Sequence, residues 1–434
     1  MTTRPHLLLI AMYFPPSRAS GVYRALALAN YLATHGWRVT VITVDNAYFD
    51  EVTGSADPDL LERIHPEVRI RRVRMPRGHL QSDLRKVGWW RANFPKPAAH
   101  IDGLVGKFFP DKYTRWIPGV VADALRLHRR ERIDLVLATG NPWSGFEAAR
   151  LIHRATRVPY VLDYRDSWTL SQFTESDAFP PGHPARAAEA TVMASAAAAV
   201  FVNEPMRQWH AERYPDKADR MLVLENGYDP DLFDAPPFRR PDPDQPLRFG
   251  SVGTITEVWP HTQAWRGWER ARTAPELQGA AFDLYGHLGF FPHAVPIIRK
   301  LLPSSASGVV WRGAVSKTDL RRVYDEMDVV VIAIPSSRYV TAGKVYEAMA
   351  TGKPIVAIHT PETAASGPLR GYPLWFPVAE LSIEAAAEAY VAAARAARTV
   401  TLADHAAALE HAELYRRANL LAPFELELRR LAHG

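Results

Sequence analysis

Short apolar runs alternate with helix-spaced stretches along this 434-residue chain, and the alternation breaks once and begins again. Leu7 to Ala11 is apolar throughout; a turn-rich loop follows (Pro15, Pro16, Ser17, Ser20, Gly21), then a helical stretch from Val22 to Thr34 and a second run, Val39 to Val44. Further runs stand at Asp134 to Ala138, Tyr160 to Asp163, Val200 to Asn203 and Met221 to Glu225, with helices near Gly145 to Ala155 and Ala185 to Ala199. Strands apolar on both faces must be covered on both, and helices between consecutive strands make those strands parallel. The expectation is an α/β chain with a doubly wound, Rossmann-like parallel sheet.

The break is Ala235 to Pro246, where Pro236, Pro237, Pro241, Pro243 and Pro246 stand among charged residues and can continue neither a helix nor a central strand. After it the alternation resumes at Arg248 to Val252, Ala281 to Tyr285, Val309 to Trp311, Val329 to Ile334 and Pro354 to Ile358. This predicts an amino-terminal Rossmann-like domain over 1–236, a linker at 237–246 and a second such domain over 247–410. Residues 411–434 read as an amphipathic helix that packs back on the amino-terminal domain. Ligands of open parallel sheets sit at the carboxyl ends of the strands, so two such sheets are expected to face a shared cleft.

The composition, 47% hydrophobic and 23% charged, suits a chain that buries a sizeable interior. Cysteine is absent, which removes disulfides, thiolate nucleophiles and cysteine-held metals from consideration. No apolar stretch approaches the roughly 20 residues needed to span a bilayer, and the first ten residues lack the pattern of a signal peptide. A cytosolic chain, or one peripheral on the inner face of the cell membrane, is expected. From Arg69 to Arg132 cations outnumber acids by roughly three to one, interleaved with Trp89, Trp90, Phe94, Phe108, Phe109, Tyr113 and Trp116. Such a segment suits an anionic membrane surface or a phosphate-bearing acceptor, and equally a solvated face with a few core aromatics. No nucleic-acid module accompanies it, and nucleic acid is not expected as a partner.

The sharpest segment is Thr341-Ala-Gly-Lys-Val-Tyr-Glu-Ala-Met-Ala-Thr-Gly-Lys-Pro-Ile-Val-Ala-Ile358. Small residues open a helix where a strand has ended, so the amides of Thr341, Ala342 and Gly343 can receive a pyrophosphate. Lys344 and Glu347 share a helical face; the ammonium would balance phosphate charge while the carboxylate accepts ribose hydroxyls. A surface ion pair has the same spacing.

This segment resembles the carboxy-terminal signature of family 4 glycosyltransferases, in which a glutamate ahead of an A-x-G-x-P turn binds the donor ribose. Four further blocks are similar to amino-terminal blocks of its exopolysaccharide-type members: 109–116 (Phe-Pro-Asp-Lys-Tyr-Thr-Arg-Trp), 137–144 (Leu-Ala-Thr-Gly-Asn-Pro-Trp-Ser), 158–168 (Val-Pro-Tyr-Val-Leu-Asp-Tyr-Arg-Asp-Ser-Trp) and 224–233. Gly250-Ser-Val-Gly253 looks like the phosphate-proximal loop that opens the second domain. The resemblance implies the two-domain GT-B architecture, a nucleoside diphosphate sugar as donor substrate, no cofactor, no metal, and retention at the anomeric carbon. Together with the reading of the residues themselves, it puts Glu347, Lys344, Gly343, Ala342, Thr341, Gly253 and Thr254 at the donor. Gly21, Ser20 and Trp168 fall on the acceptor side.

Two departures from the family stand out. Tyr339 occupies the place, eight residues before Glu347, where many members carry another glutamate. The loop after Gly253 lacks the cations that often clamp the diphosphate and offers Thr254, Glu257 and His261; Arg338 and Arg312 are the expected substitutes beside Lys344. For chemistry, Asp166 follows the Tyr160 to Asp163 strand next to Arg165, which stands where other members have a catalytic-site histidine. These two residues are the catalytic candidates; a structural ion pair is the other reading. Asp57 to Asp59 and Asp242 to Asp244 read as solvated turns, not metal sites. The chain is thus expected to move a sugar onto a hydroxyl of a saccharide, lipid-linked or small-molecule acceptor. The alternatives are an inactive nucleotide-binding scaffold and a sugar-nucleotide epimerase or hydrolase.

Overall fold

A computed structural model of the chain describes residues 4–76, 80, 88–230, 236–289, 292–316 and 319–433. Parts of the basic segment, 77–79 and 81–87, and of the 224–233 block, 231–233, lie outside the described residues. The chain divides into two compact units, one of Met1–Ser171, Ser176–Glu225 and Leu421–Gly434, the other of Gln172–Glu175 and Asn226–Leu420. The proline-rich run 237–246 belongs to the second unit, ahead of its first strand.

In the first unit, seven parallel strands form one sheet. They are β1 (His6–Ile10), β2 (Arg38–Val44), β3 (Arg69–Val73), β4 (Leu135–Gly140), β5 (Tyr160–Tyr164), β8 (Ala198–Phe201) and β9 (Met221–Val223). The antiparallel pair β6 (Leu170–Ser171) and β7 (Ser176–Asp177) stands apart. The order is β3-β2-β1-β4-β5-β8-β9, so the winding reverses between β1 and β4. All five residues of β1 are buried, as an interior strand covered on both faces demands. The terminal residues complete this unit: the Trp37 indole donates to Glu425 at 2.7 Å, and Arg429 donates to the His35 carbonyl at 3.0 Å.

The second unit carries six parallel strands: β10 (Arg248–Val252), β11 (Ala281–Tyr285), β12 (Val309–Gly313), β13 (Val329–Ala333), β14 (Ile355–Ile358) and β15 (Trp375–Pro377). Their order, β12-β11-β10-β13-β14-β15, reverses between β10 and β13. Successive residues of β13 go to opposite cores. Val329, Val331 and Ala333 meet helices His261–Ala271 and Ile383–Thr399, while Val330 and Ile332 meet helices Leu320–Asp325 and Lys344–Met349. That is why the run is apolar without a gap.

Two edge strands, β3 and β15, fall where no apolar run signals them. In Arg-Ile-Arg-Arg-Val, Arg71 grips Asp123 (2.5 and 2.6 Å), Arg69 grips Glu131 (2.7 Å) and Arg72 donates to the Pro15 carbonyl (2.8 Å). The basic aromatic segment is therefore not one surface. Its first cations hold an edge strand in place, Phe109, Tyr113 and Trp116 are core, and Trp89, Trp90, Phe94 and Phe108 are exposed.

Candidate active site

In the second unit the reversal of winding opens a crevice at the carboxyl ends of β10 and β13, where a doubly wound sheet receives its ligand. Gly253, just past β10, takes a left-handed φ of +123°, and its amide donates to the Tyr285 carbonyl at 2.9 Å. The turn is packed so closely that a Cβ on neighbouring Gly286 would stand 2.0 Å from the Gly253 carbonyl oxygen. From the β13 side comes helix Lys344–Met349. The Lys344 ammonium donates to the carbonyl of Ala333, the last residue of β13, at 3.0 Å, and lies 4.0 Å from the centre of the Trp259 ring. Its Cδ is 3.4 Å from where a Gly253 Cβ would be. Lysine, glycine turn and strand end thus meet at the switch point.

The electrostatics follow from this placement. Desolvation pulls the Lys344 ammonium down to about 7, against the pull of Glu347 one helical turn away, which raises it. The face of Trp259 offers the cation a further partner. Ahead of the helix, the amides of Ala342 and Gly343 donate to no backbone carbonyl among the described residues, and Gly343 is exposed with open space where a Cβ would go. Thr341 is buried beside them. A cation near its titration point, two amides and a half-buried carboxylate make a site able to take a diphosphate and a hydroxyl-bearing ring.

Other expected donor residues are engaged elsewhere. Arg312 donates to Asp283 at 2.8 Å, and Arg248 shares that carboxylate. Arg338 is held by Glu175 through its backbone amide (2.8 Å) and its Nε (2.9 Å). His261 clamps the loop: Trp265 donates to its Nδ1 at 3.2 Å, so the proton sits on Nε2, which faces the Thr256 carbonyl at 2.8 Å. Thr254 lies half-buried in that same loop. Trp259 was not among the expected residues; an aromatic in a loop carries no sequence sign that a lysine 85 positions on will lie across its face.

In the first unit a second set converges on the β1/β4 reversal. Arg165 follows β5; its Nη2 donates to the carbonyl of Asn141, just past β4, at 3.1 Å and pairs with Asp166 at 3.1 Å. The same guanidinium lies on Gly21, past β1. Beneath, Arg24 in the first turn of helix Val22–Thr34 grips Asp163 on β5 at 2.7 Å and donates to the Leu224 carbonyl at 2.9 Å, both side chains buried. Asp163 is thus half of a buried ion pair. Trp168, expected on the acceptor side, is core: it stacks on Trp143 (5.4 Å, 8° between planes) and meets Phe109 at 5.3 Å. Asp111 accepts from the amide and hydroxyl of Ser144 at 2.6 and 2.9 Å, closing the amino end of helix Ser144–Thr156. Ser20 is exposed.

Residues 21–227 match the glycosyl transferase 4-like domain family, and residues 266–396 match the glycosyl transferases group 1 family. The chain belongs to the family 4-like, group 1 glycosyltransferases. Solved structures show that the fold of this transferase is GT-B over its whole length. It is similar to a glycosyltransferase from Rickettsia africae (TM-score 0.67, 13% identity, 99% of this chain and 98% of that one covered). It is also similar to sucrose-phosphate synthase from Thermosynechococcus elongatus (TM-score 0.64, 17% identity, 99% and 100% covered). Anabaena HepE in complex with UDP-glucose matches with a TM-score of 0.59 at 13% identity, covering 97% of the transferase and 99% of that chain. No curated protein matches the sequence. Among the transferase's described residues no group of three or more His, Asp or Glu could hold a metal ion, and no helix is long and apolar enough to cross a membrane.

Proposed function

We propose that this transferase takes a sugar from a nucleoside diphosphate sugar and places it, with retention at the anomeric carbon, on a hydroxyl of a saccharide, lipid-linked or small-molecule acceptor. The observation that carries the donor half is the Lys344 ammonium held between Gly253 and the end of β13, with Glu347 one turn along. In this reading Glu347 accepts the ribose hydroxyls. Lys344, the amides of Ala342 and Gly343, and the turn at Gly253 and Thr254 receive the diphosphate and stabilise it as it leaves, without a metal ion. Arg312 and Arg338 are left out, since each is already held by a carboxylate.

The acceptor half rests on Arg165 and Asp166 at the β1/β4 reversal, beside Gly21 and Ser20. Asp166 keeps about half its side chain in water and so can meet an incoming hydroxyl, and Arg165 holds it in place. The similarity to a chain crystallised with UDP-glucose makes uridine diphosphate sugars the first donors to test. The reading includes a cytoplasmic enzyme working at the inner face of a membrane.

A thermal-shift screen of nucleoside diphosphates and their sugars tests it, because a ligand at 100 times its dissociation constant stabilises by about 2.7 kcal/mol. Glu347→Ala should weaken that binding by about 1 to 3 kcal/mol. No stabilisation by any of these ligands, or equal stabilisation of Glu347→Ala, would remove the donor site from this crevice.

A further inference from the structure

Helix Pro95–Phe108, in the first unit, presents an apolar face that the described chain leaves uncovered. Of its residues only Ala98 is buried, while Ile101, Leu104 and Phe108 are 41%, 52% and 64% exposed. Advancing about 100° per residue, those three side chains fall within roughly 60° of one another. Lys96, His100 and Lys107 form a second exposed stripe beside them, within roughly 40°. The helix is tied to the protein from the remaining side. Asp102 accepts from Arg91 at 2.9 Å and from Arg115 at 2.6 Å, next to buried Ala98.

At the amino end of the helix stands an exposed aromatic cluster. The rings of Trp89 and Trp90 lie 6.0 and 6.5 Å from that of Phe94, and the three residues are 73%, 43% and 45% exposed. Isolated apolar residues on a surface need no explanation, but six large ones in one contiguous stretch do. What covers them must also accept positive charge. Lys96 and Lys107 have no ion pair among the described residues, and over 77–107 the sequence sets Arg77, Arg85, Lys86, Arg91, Lys96 and Lys107 against Asp83 and Asp102. The cores of protein interfaces are poor in lysine. A bilayer surface, by contrast, takes aromatic and aliphatic side chains to the depth of the acyl boundary while lysines beside them reach up to anionic headgroups.

We propose that helix Pro95–Phe108 lies in the plane of an anionic membrane surface, inserting Trp89, Phe94, Ile101, Leu104 and Phe108 and setting Lys96 and Lys107 against lipid phosphates. This deepens the membrane-face reading above by naming the element that makes the contact, and it does not depend on the donor crevice. The helix is about 21 Å long, enough to lie along the surface and too short to span it.

The test is co-sedimentation of the full chain with phosphatidylglycerol-containing vesicles and with pure phosphatidylcholine vesicles, for the parent, Leu104→Ser/Phe108→Ser and Lys96→Glu/Lys107→Glu. All four positions are exposed, so the melting temperatures should be unchanged, which separates a lost surface from a lost fold. The parent should bind the anionic vesicles and leave the neutral ones. The apolar variant should partition at least about tenfold more weakly, and the charge variant should lose as much at low salt but little at high salt. Parent protein that stays in solution overturns the proposal, as does an apolar variant that binds like the parent. So does a lipid-free dimer that the apolar variant dissociates, since a second copy would then be the cover. None of these outcomes bears on nucleotide binding, which fails or holds with Glu347→Ala.

Discussion

The guanidinium of Arg165 lies flat against Gly21, so that a Cβ built on the glycine would stand 2.0 Å from Nη1 and 2.3 Å from Cζ. Those atoms are the end of a flexible side chain and can swing aside, unlike a backbone. Gly21→Ala should therefore cost little stability, under about 1 kcal/mol, because Gly21 already holds helical angles (φ −71°, ψ −15°) that alanine adopts without strain, and the clash can relax. The relaxation moves Arg165 off Asn141 and Asp166. Turnover should fall by about tenfold to a hundredfold, since small misplacements at a reacting centre cost that much. Initial rates beside a thermal melt decide the matter. A variant that melts early yet turns over normally would make the Arg165–Gly21 contact structural.

Lys344 gives the proposed donor site a pH signature with a defined sign. Its ammonium is pulled down to about 7 by desolvation, and a bound diphosphate would raise it again. A group whose value rises on binding contributes its full share below the free-state value and loses it as the pH climbs through the bound-state value. The affinity for a nucleoside diphosphate sugar, whose diphosphate has no proton to lose in this range, should therefore be flat below about pH 7 and weaken from there toward pH 9. Titration calorimetry at pH 8 in two buffers of different ionisation enthalpy should show proton uptake. In the ligand-free protein the sign reverses: between about 7 and the ordinary lysine value of 10.5 the unfolded chain holds the proton and the folded one has released it. The stability of the parent relative to Lys344→Met should rise with pH across that window.

Trp259 should matter through the same charge. Trp259→Leu keeps an apolar residue in a buried place but removes the ring face 4.0 Å from the ammonium. A cation–π contact of this kind is worth about 0.5 to 2 kcal/mol, so diphosphate affinity at pH 6.5 should drop by about twofold to thirtyfold, measured by calorimetry. Because the ring supports the charged form of Lys344, the onset of the pH-dependent loss should also move lower. An unchanged onset would mean that the ring only packs.

These contacts show what a sequence can and cannot disclose. Interior strands coincide with apolar runs because both faces of β1 or β13 must be buried, and burial is written residue by residue. Edge strands escape: β3 needs cover on fewer sides and spends its arginines on Asp123 and Glu131, while β15 has three residues and ends in a proline. Lys344 and Glu347 were legible together because a helix brings positions three apart onto one face. Arg312 and Arg338 are drawn off by partners the sequence does not announce, for Asp283 lies 29 positions from the first and Glu175 lies 163 from the second. Arg24 and Asp163, 139 positions apart, meet only because β1 and β5 flank β4 in one sheet. Periodicity reports what an element does, and only topology reports which elements share an end.

Two lysines of one motif should answer substitution in opposite ways. Lys353, nine positions after Lys344, is buried, and desolvation pulls it down too, to about 8. Its surroundings differ in kind: the ammonium donates to the carbonyls of Tyr324, Asp325 and Met327 at 2.7, 3.1 and 2.5 Å. It closes the end of helix Leu320–Asp325, with all three of its donors spent, and has nothing left for a ligand. Lys353→Met would strand those carbonyls out of water and should cost about 2 to 3 kcal/mol, read as a shift of the urea midpoint, with nucleotide affinity of the folded protein unchanged. Lys344→Met should do the reverse. It removes a desolvated charge that has one carbonyl partner among the described residues, so the melt should hold or rise while diphosphate binding falls by at least about tenfold. If both substitutions weakened the fold and spared binding, the crevice at β10 and β13 would be a packing feature and the donor would have to be sought elsewhere.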